Sequence, residues 1–327
     1  MKMTLDVGTC AQRNAFARRF APGLLRPFTG LTFPTRVGEI AQTVLSRWSI
    51  KPLPPKPASG IHYLTIGGRS HWLILRESLF SLYWSWKKLP NVTVVSDGSW
   101  SATEFYPVFS WWPGKIDVLS PDQIIAQANA AGERELAQYA EASAWGLKLT
   151  AIVLLARREP LLFVDVDILW FRNPALLLGD PASWVKPRAL PENFCYQRRD
   201  MALRYCAQVL EPPFVNAGIV ALHGELMPPA LLRSMVQEAL RNPEDGSCEQ
   251  TIFATGIKLT GEFFPEKLSL VAFDDTYRLF IRNAKQEGYY SRHYVLPARQ
   301  LIYRDALNLR LDLHRLISGQ PQSENTC

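Results

Sequence analysis

The chain has 327 residues, of which 47% are hydrophobic, 20% charged and 11% aromatic. That is enough apolar content to bury the core of one or two domains, and it excludes wholesale disorder, collagen and low-complexity arrays. The net charge of +6 is unevenly placed, because residues 1–60 hold nine Lys/Arg against two Asp/Glu while the remainder holds 27 against 28. A near-neutral body with a basic arm argues against nucleic acid, which needs a basic face on the folded part, and suits an anionic membrane surface or another acidic partner.

No apolar run approaches the roughly 18 residues of a membrane span, and Asp6, Arg13, Arg18 and Arg19 interrupt any signal core. The expectation is a soluble, cytoplasmic protein, with peripheral membrane contact through residues 1–60. Cys10, Cys195, Cys206, Cys248 and Cys327 are odd in number, scattered and free of CxxC spacing, so reduced thiols are expected rather than disulfides or zinc.

In chain order, residues 1–60 read as a basic N-terminal extension closed by the proline-rich linker 51–57, which is too dense in proline to continue a helix. Poor order or loose docking is expected there. Residues 61–327 then read as one α/β domain of short apolar runs alternating with helical periodicity. Residues 62–66 form a first strand closed by Gly67-Gly68. Trp72, Leu75, Leu79, Leu82 and Trp86 recur at helical spacing. Residues 91–95 form a strand that runs into Ser96-Asp97-Gly98, and residues 116–119 another. Ser120-Pro121 starts a long helix, 147–158 is helical, and 161–164 is a buried central strand. Farther on, 214–222 reads as a strand, and 229–241 and 249–255 as helices. The alternation of leucines from Leu307 to Leu313 leaves strand and helix both open, with helix favoured.

The segment carrying most chemistry is Leu161-Leu162-Phe163-Val164-Asp165-Val166-Asp167-Ile168-Leu169-Trp170-Phe171-Arg172-Asn173-Pro174. An apolar strand delivers two carboxylates two residues apart, so both project to the same side. Such a pair is costly to desolvate without positive charge. A magnesium or manganese ion meets that need, with phosphates or waters as its other ligands, at the strand end where open α/β sheets bind ligands. The competing reading is helix capping or pairing with Arg157, Arg158 or Arg172.

This segment resembles the DxD motif of nucleotide-sugar glycosyltransferases with the GT-A fold, in particular the galactosyltransferase and glycogenin-like branch, and the resemblance extends over most of residues 61–305. It implies a Rossmann-like, mixed, mostly parallel central sheet flanked by helices, with a metal ion and a nucleoside diphosphate sugar, UDP favoured, as donor. Thr65, in His62-Tyr63-Leu64-Thr65, resembles part of the first nucleotide-binding strand, and Asp97 the acidic turn at ribose or base. Lys148, in Trp145-Gly146-Leu147-Lys148, resembles the basic residue reaching the donor. Asn216, in Phe214-Val215-Asn216-Ala217-Gly218-Ile219, resembles the residue lining the sugar pocket. Glu249 and Gln250 resemble the acidic-Gln helix start, with Glu249 a candidate base should the reaction invert. His293 is placed like the histidine that joins Asp165 and Asp167 on the metal. Where the branch has a lysine near the diphosphate, this chain has Arg292 or Arg299. The acceptor implied is a carbohydrate or a lipid-linked sugar. Trp100, Trp111 and Trp112 are either a carbohydrate platform or core, with core favoured. A catalytically silent sugar-nucleotide-binding scaffold and a DxD phosphohydrolase are the other functional readings.

Overall fold

The computed structural model describes residues 32–271, 282–295 and 299–317. Residues 1–31, which hold most of the basic arm and Cys10, lie outside the described residues, as does Cys327.

The elements begin with α1 (Thr32–Arg47), β1 (Ala58–Gly67), α2 (Trp72–Ser85), β2 (Leu89–Ser96), α3 (Ala102–Val108) and β3 (Ile116–Leu119). Next come α4 (Pro121–Ala130), α5 (Arg134–Ala142), α6 (Ala144–Ala156), β4 (Leu161–Val164), β5 (Ile168–Trp170), α7 (Ala175–Leu178) and β6 (Arg188–Glu192). The chain continues through α8 (Arg199–Tyr205), β7 (Phe214–Leu222), α9 (Pro229–Ala239), α10 (Gly246–Thr260), β8 (Glu262–Phe263), β9 (Ser269–Val271), β10 (Ser291–His293) and α11 (Leu301–Ile317).

Seven strands form the central sheet in the order β3-β2-β1-β4-β7-β6-β8, and β5-β10-β9 form a second sheet. Strands β1 to β4 pair in parallel, β7 runs antiparallel to β4 and to β6, and β6 pairs β8 in parallel. The fold is therefore the expected mixed, mostly parallel α/β sheet flanked by helices. Since β7 reverses twice, β6 runs the same way as β4, and the carboxyl ends of β1, β2, β4 and β6 share one edge.

Period-two alternation divides the core between the two faces of the sheet. Tyr63, Leu162 and Val164 join α2, α3 and α11 on one side, while Leu64, Leu161 and Phe163 join α4, α5, α6, α9 and α10 on the other. Trp100, Trp111 and Trp112 are all buried in the first of these layers, among Phe80, Phe105 and Phe109, so they are core and not a platform.

Local signals account for most helix boundaries. Ser120 caps α4 reciprocally with Gln123, and Pro121 occupies its first position. The long helix expected from here is two helices, because Gly132 turns the chain at φ +75° between α4 and α5. The C-terminal leucines form helix α11, as favoured.

Residues 32–57 are fastened to the body. Ala41 and Leu45 are buried, Leu53 N–H donates to the Trp111 carbonyl at 3.0 Å, and Lys56 Nζ donates to the Trp86 carbonyl at 2.9 Å. Trp48 lies under the Arg310 guanidinium, 5.7 Å from it. Among the described residues no helix is long and apolar enough to cross a membrane, and Cys195, Cys206 and Cys248 are not in disulfides.

Candidate active site

Strand β4 ends at Val164, and the chain turns through Asp165 and Asp167 before entering β5. This turn is pinned at both ends: Asp165 N–H donates to the Gly218 carbonyl at 2.8 Å, and Tyr294 N–H to the Asp167 carbonyl at 2.9 Å. Strand β10, antiparallel to β5, places His293 opposite Ile168. Asp165, Asp167 and His293 thereby offer one ligand atom each, all within 4.8 Å of one another. His293 Nε2 lies 3.3 Å from Asp167 Oδ1 and 3.6 Å from Asp165 Oδ2. Asp165 is the more open carboxylate, with 28% of its side chain exposed against 4% for Asp167.

The tautomer of His293 follows from its neighbours. Gly218 N–H donates to Asn216 Oδ1 at 2.9 Å, which identifies that amide atom as oxygen. His293 Nδ1 stands 3.0 Å from the same oxygen and so donates to it. The neutral ring then carries its lone pair on Nε2, facing the two carboxylates, as in metal-binding histidines oriented by a second partner. Asn216 Nδ2 in turn donates to Glu192 Oε2 at 3.3 Å. Gly218 makes the approach possible, because a Cβ there would lie 2.3 Å from His293 Cε1. Two carboxylate oxygens and an imidazole nitrogen form a donor set that fits magnesium or manganese.

Lys148, on α6, is buried behind Asp165. Its Nζ lies 3.3 Å from Asp165 Oδ1, 3.1 Å from Glu249 Oε1 and 3.2 Å from the Ala217 carbonyl. Glu249 is fully buried at the start of α10, and Gln250 Nε2 donates to its second oxygen at 2.9 Å. Gln250 Oε1 accepts from Ala217 N–H at 3.3 Å. Arg299 completes the cluster, donating from Nη2 at 2.7 Å and Nε at 3.1 Å to Asp167 Oδ2. Arginine pairing of the DxD segment is thus real, but through Arg299: Arg157 pairs with Glu133 and Glu225, and Arg172 donates to the Lys285 carbonyl.

Burial and neighbours pull these groups apart. Burial pushes Asp165 and Glu249 above the usual carboxylate range, although Lys148 works against it in both. At Asp167 burial is overcome by His293 and Arg299, which bring the carboxyl down to about 2. Burial opposes the charge on Lys148, but Asp165 and Glu249 outweigh it and hold the ammonium above its ordinary value. The same contest at His293, won by Asp167 and Asp165, raises the imidazole.

Of the residues singled out in the sequence, Asp165, Asp167, His293, Asn216, Lys148, Glu249, Gln250 and Arg299 come together. Arg292 does not. It precedes His293 in β10 and so points to the opposite side, where it is buried and paired with Asp305 at 3.2 Å. Thr65 is buried on β1, its Oγ1 without a hydrogen bond among the described residues. Asp97 stands exposed at the end of β2, on the sheet edge that carries Asp165, where Oδ1 accepts from Ser99 N–H at 2.9 Å. Its carboxylate lies where a Gly68 Cβ would be. Glu192 was not foreseen. It ends β6, is buried, and burial pushes its carboxyl upward.

No protein-family profile and no curated protein matches the chain. Among solved structures it is similar to the galactosyltransferase LgtC in complex with donor and acceptor sugar analogs, at 11% identity over 76% of this chain and 95% of that one, with a TM-score of 0.49. Mouse xyloside xylosyltransferase 1 in its apo form gives 13%, 71%, 96% and 0.48 for the same quantities. The glycosyltransferase GlyE of Streptococcus pneumoniae TIGR4 gives 11%, 84%, 66% and 0.45.

Proposed function

We propose that the chain is a metal-dependent glycosyltransferase that moves a sugar from a nucleoside diphosphate sugar, UDP favoured, to an acceptor hydroxyl on a carbohydrate or lipid-linked saccharide. The observation that carries this reading is the convergence of Asp165, Asp167 and His293 at the carboxyl edge of the sheet, with His293 Nε2 facing both carboxylates. A divalent cation held by these three residues would supply Lewis-acid stabilisation to the departing diphosphate.

The chain's own residues do the rest. Arg299, with 47% of its side chain exposed, holds Asp167 with one edge and keeps donors for phosphate oxygens on the other. Lys148 orients Asp165 and offsets its charge, and Glu249, buried beneath it, acts through Lys148. Asn216 has its carbonyl engaged by Gly218 and His293 and its amide by Glu192, so its work is to fix His293. Gln250, half-buried beside Ala217, spends one amide N–H on Glu249 and keeps the second for a sugar hydroxyl.

Donor turnover measured on UDP-, GDP-, CDP- and ADP-sugars tests the reading. One nucleotide class should be consumed with manganese or magnesium, chelator should stop it, and Asp167→Asn should slow it by about 10²–10³-fold. Turnover indifferent to chelator, or Asp167→Asn at the wild-type rate, would refute the assignment.

A further inference from the structure

The tryptophans favoured by sequence position as core are core, and a different one is exposed at the site. Trp145 keeps 40% of its surface open to solvent. It lies in the first turn of α6, three residues before Lys148, so the two side chains share a helix face. Its indole rests on Gly246, the first residue of α10: a Cβ there would lie 2.8 Å from Cε2 and 2.9 Å from Cζ2 of the ring. No residue but glycine allows that seat. Gly246 stands one helical turn before Glu249 and Gln250. The ring therefore bridges the N-terminal turns of the two helices that bring Lys148 and Glu249 together.

A second aromatic pair occupies the same edge of the sheet. Phe194 and Tyr196, with ring centroids 4.9 Å apart, lie in the loop that leaves β6 after Glu192. That loop is tied to the first turns of α10, where Arg198 N–H donates to Thr251 Oγ1 at 2.7 Å and the Arg198 guanidinium lies 3.8 Å from Asp245. Phe194 and Tyr196 are half-buried and Trp145 is the exposed ring, and an exposed aromatic face beside buried polar groups suits a ligand with an apolar ring face and a polar rim. A pyranose has that form: its axial C–H bonds make one flat apolar face, and its hydroxyls lie around the edge.

We propose that Trp145, seated on Gly246, is the stacking platform for a pyranose ring of the acceptor saccharide. That the ring belongs to an acceptor rests on the glycosyl-transfer reading, whereas the stacking itself does not. A nucleobase is the competing occupant of such a platform. Trp145 is seated against α10 on a helix that packs on β4, whereas β1 and β2 lie farther along the sheet on the β3 side of β4, and this favours the saccharide.

The test uses saturation-transfer NMR on the full chain with the methyl β-pyranosides of glucose, galactose and N-acetylglucosamine, alongside calorimetry of UDP with manganese. The wild-type chain should transfer saturation to the axial ring protons of at least one glycoside. Trp145→Ala should weaken that glycoside about fivefold or more, and Trp145→Phe should restore most of the loss. UDP affinity should stay within about twofold, since Trp145 touches the acceptor. Gly246→Ala, which pushes the ring off its seat, should lower glycoside binding in the same direction and guards against misfolding of the alanine variant. A wild type that binds none of the three glycosides, or a Trp145→Ala chain that binds them unchanged, overturns the proposal. Equal losses of UDP and glycoside overturn it in favour of the nucleobase. Glycoside binding that depends on Trp145 in a chain blind to every nucleoside diphosphate would sink the transferase reading and leave the platform standing.

Discussion

Two clusters of buried charge among the described residues differ in kind. Around Glu77, every carboxylate oxygen is taken by a guanidinium: Arg310 Nε lies 2.7 Å from Oε2, while Arg310 Nη2 and Arg76 Nε each lie 2.9 Å from Oε1. Arg76 Nη2 goes on to the Leu45 carbonyl, so the cluster ties α1, α2 and α11 together. At the sheet edge, three carboxylates, Asp165, Asp167 and Glu249, meet one ammonium and one half-exposed guanidinium. The imidazole among them adds positive charge only when protonated. At Glu77 both carboxylate oxygens are taken by two buried guanidinium groups, and the cluster holds helices in place. The edge cluster gathers acids where solvent reaches Asp165, and under the proposed function that surplus of negative charge would attract a divalent cation.

The contrast breaks first at Glu77. Replacing Glu77 with alanine leaves two buried guanidinium groups without a carboxylate and should cost about 3–5 kcal/mol in urea unfolding. The same substitution should leave manganese affinity unchanged in the folded fraction. At the edge the effects should reverse. Asn216→Leu removes the acceptor that fixes the His293 tautomer and should weaken manganese about 10–100-fold in calorimetry. Gly218→Ala, by displacing His293, should act in the same direction.

The smallest effect is at Glu192. Burial raises its carboxyl, so the folded chain binds a proton there more tightly than the unfolded chain. Its favourable contribution is fully present below the ordinary value of 4.5 and is lost as pH rises through the raised one. Glu192→Gln should flatten that fall in stability between mildly acidic and neutral pH, read as the thermal midpoint at successive pH values. An identical slope in the variant would show that Glu192 is not the titrating group.

Much of this arrangement was legible because strand alternation and motif order act locally. Two aspartates after an apolar strand identified the edge, and the residues resembling the family's motifs supplied His293, Asn216 and Lys148. The choice between Arg292 and Arg299 turns on β10, a three-residue strand paired on both sides; once it is recognised, alternation sends Arg292 away from His293. Glu192 escaped notice because β6, Arg-Ala-Leu-Pro-Glu, carries a proline and no long apolar run. The docking of residues 32–57 was masked by charge and proline content, although Ala41 and Leu45 already mark one apolar stripe of α1. Trp145 was hidden for a different reason. Its seat depends on Gly246, 101 residues farther along the chain, and no local pattern reports that contact.

The most direct test of the central claim is calorimetry of UDP, GDP, CDP and ADP on the wild-type and Asp167→Asn chains, each with manganese, magnesium or chelator. Selective binding of one nucleoside diphosphate is expected in the wild type, lost with chelator and lost in Asp167→Asn while the thermal midpoint of the apo protein shows both chains folded. Binding that is equal with and without metal, or no binding of any nucleoside diphosphate to the folded wild type, would contradict it.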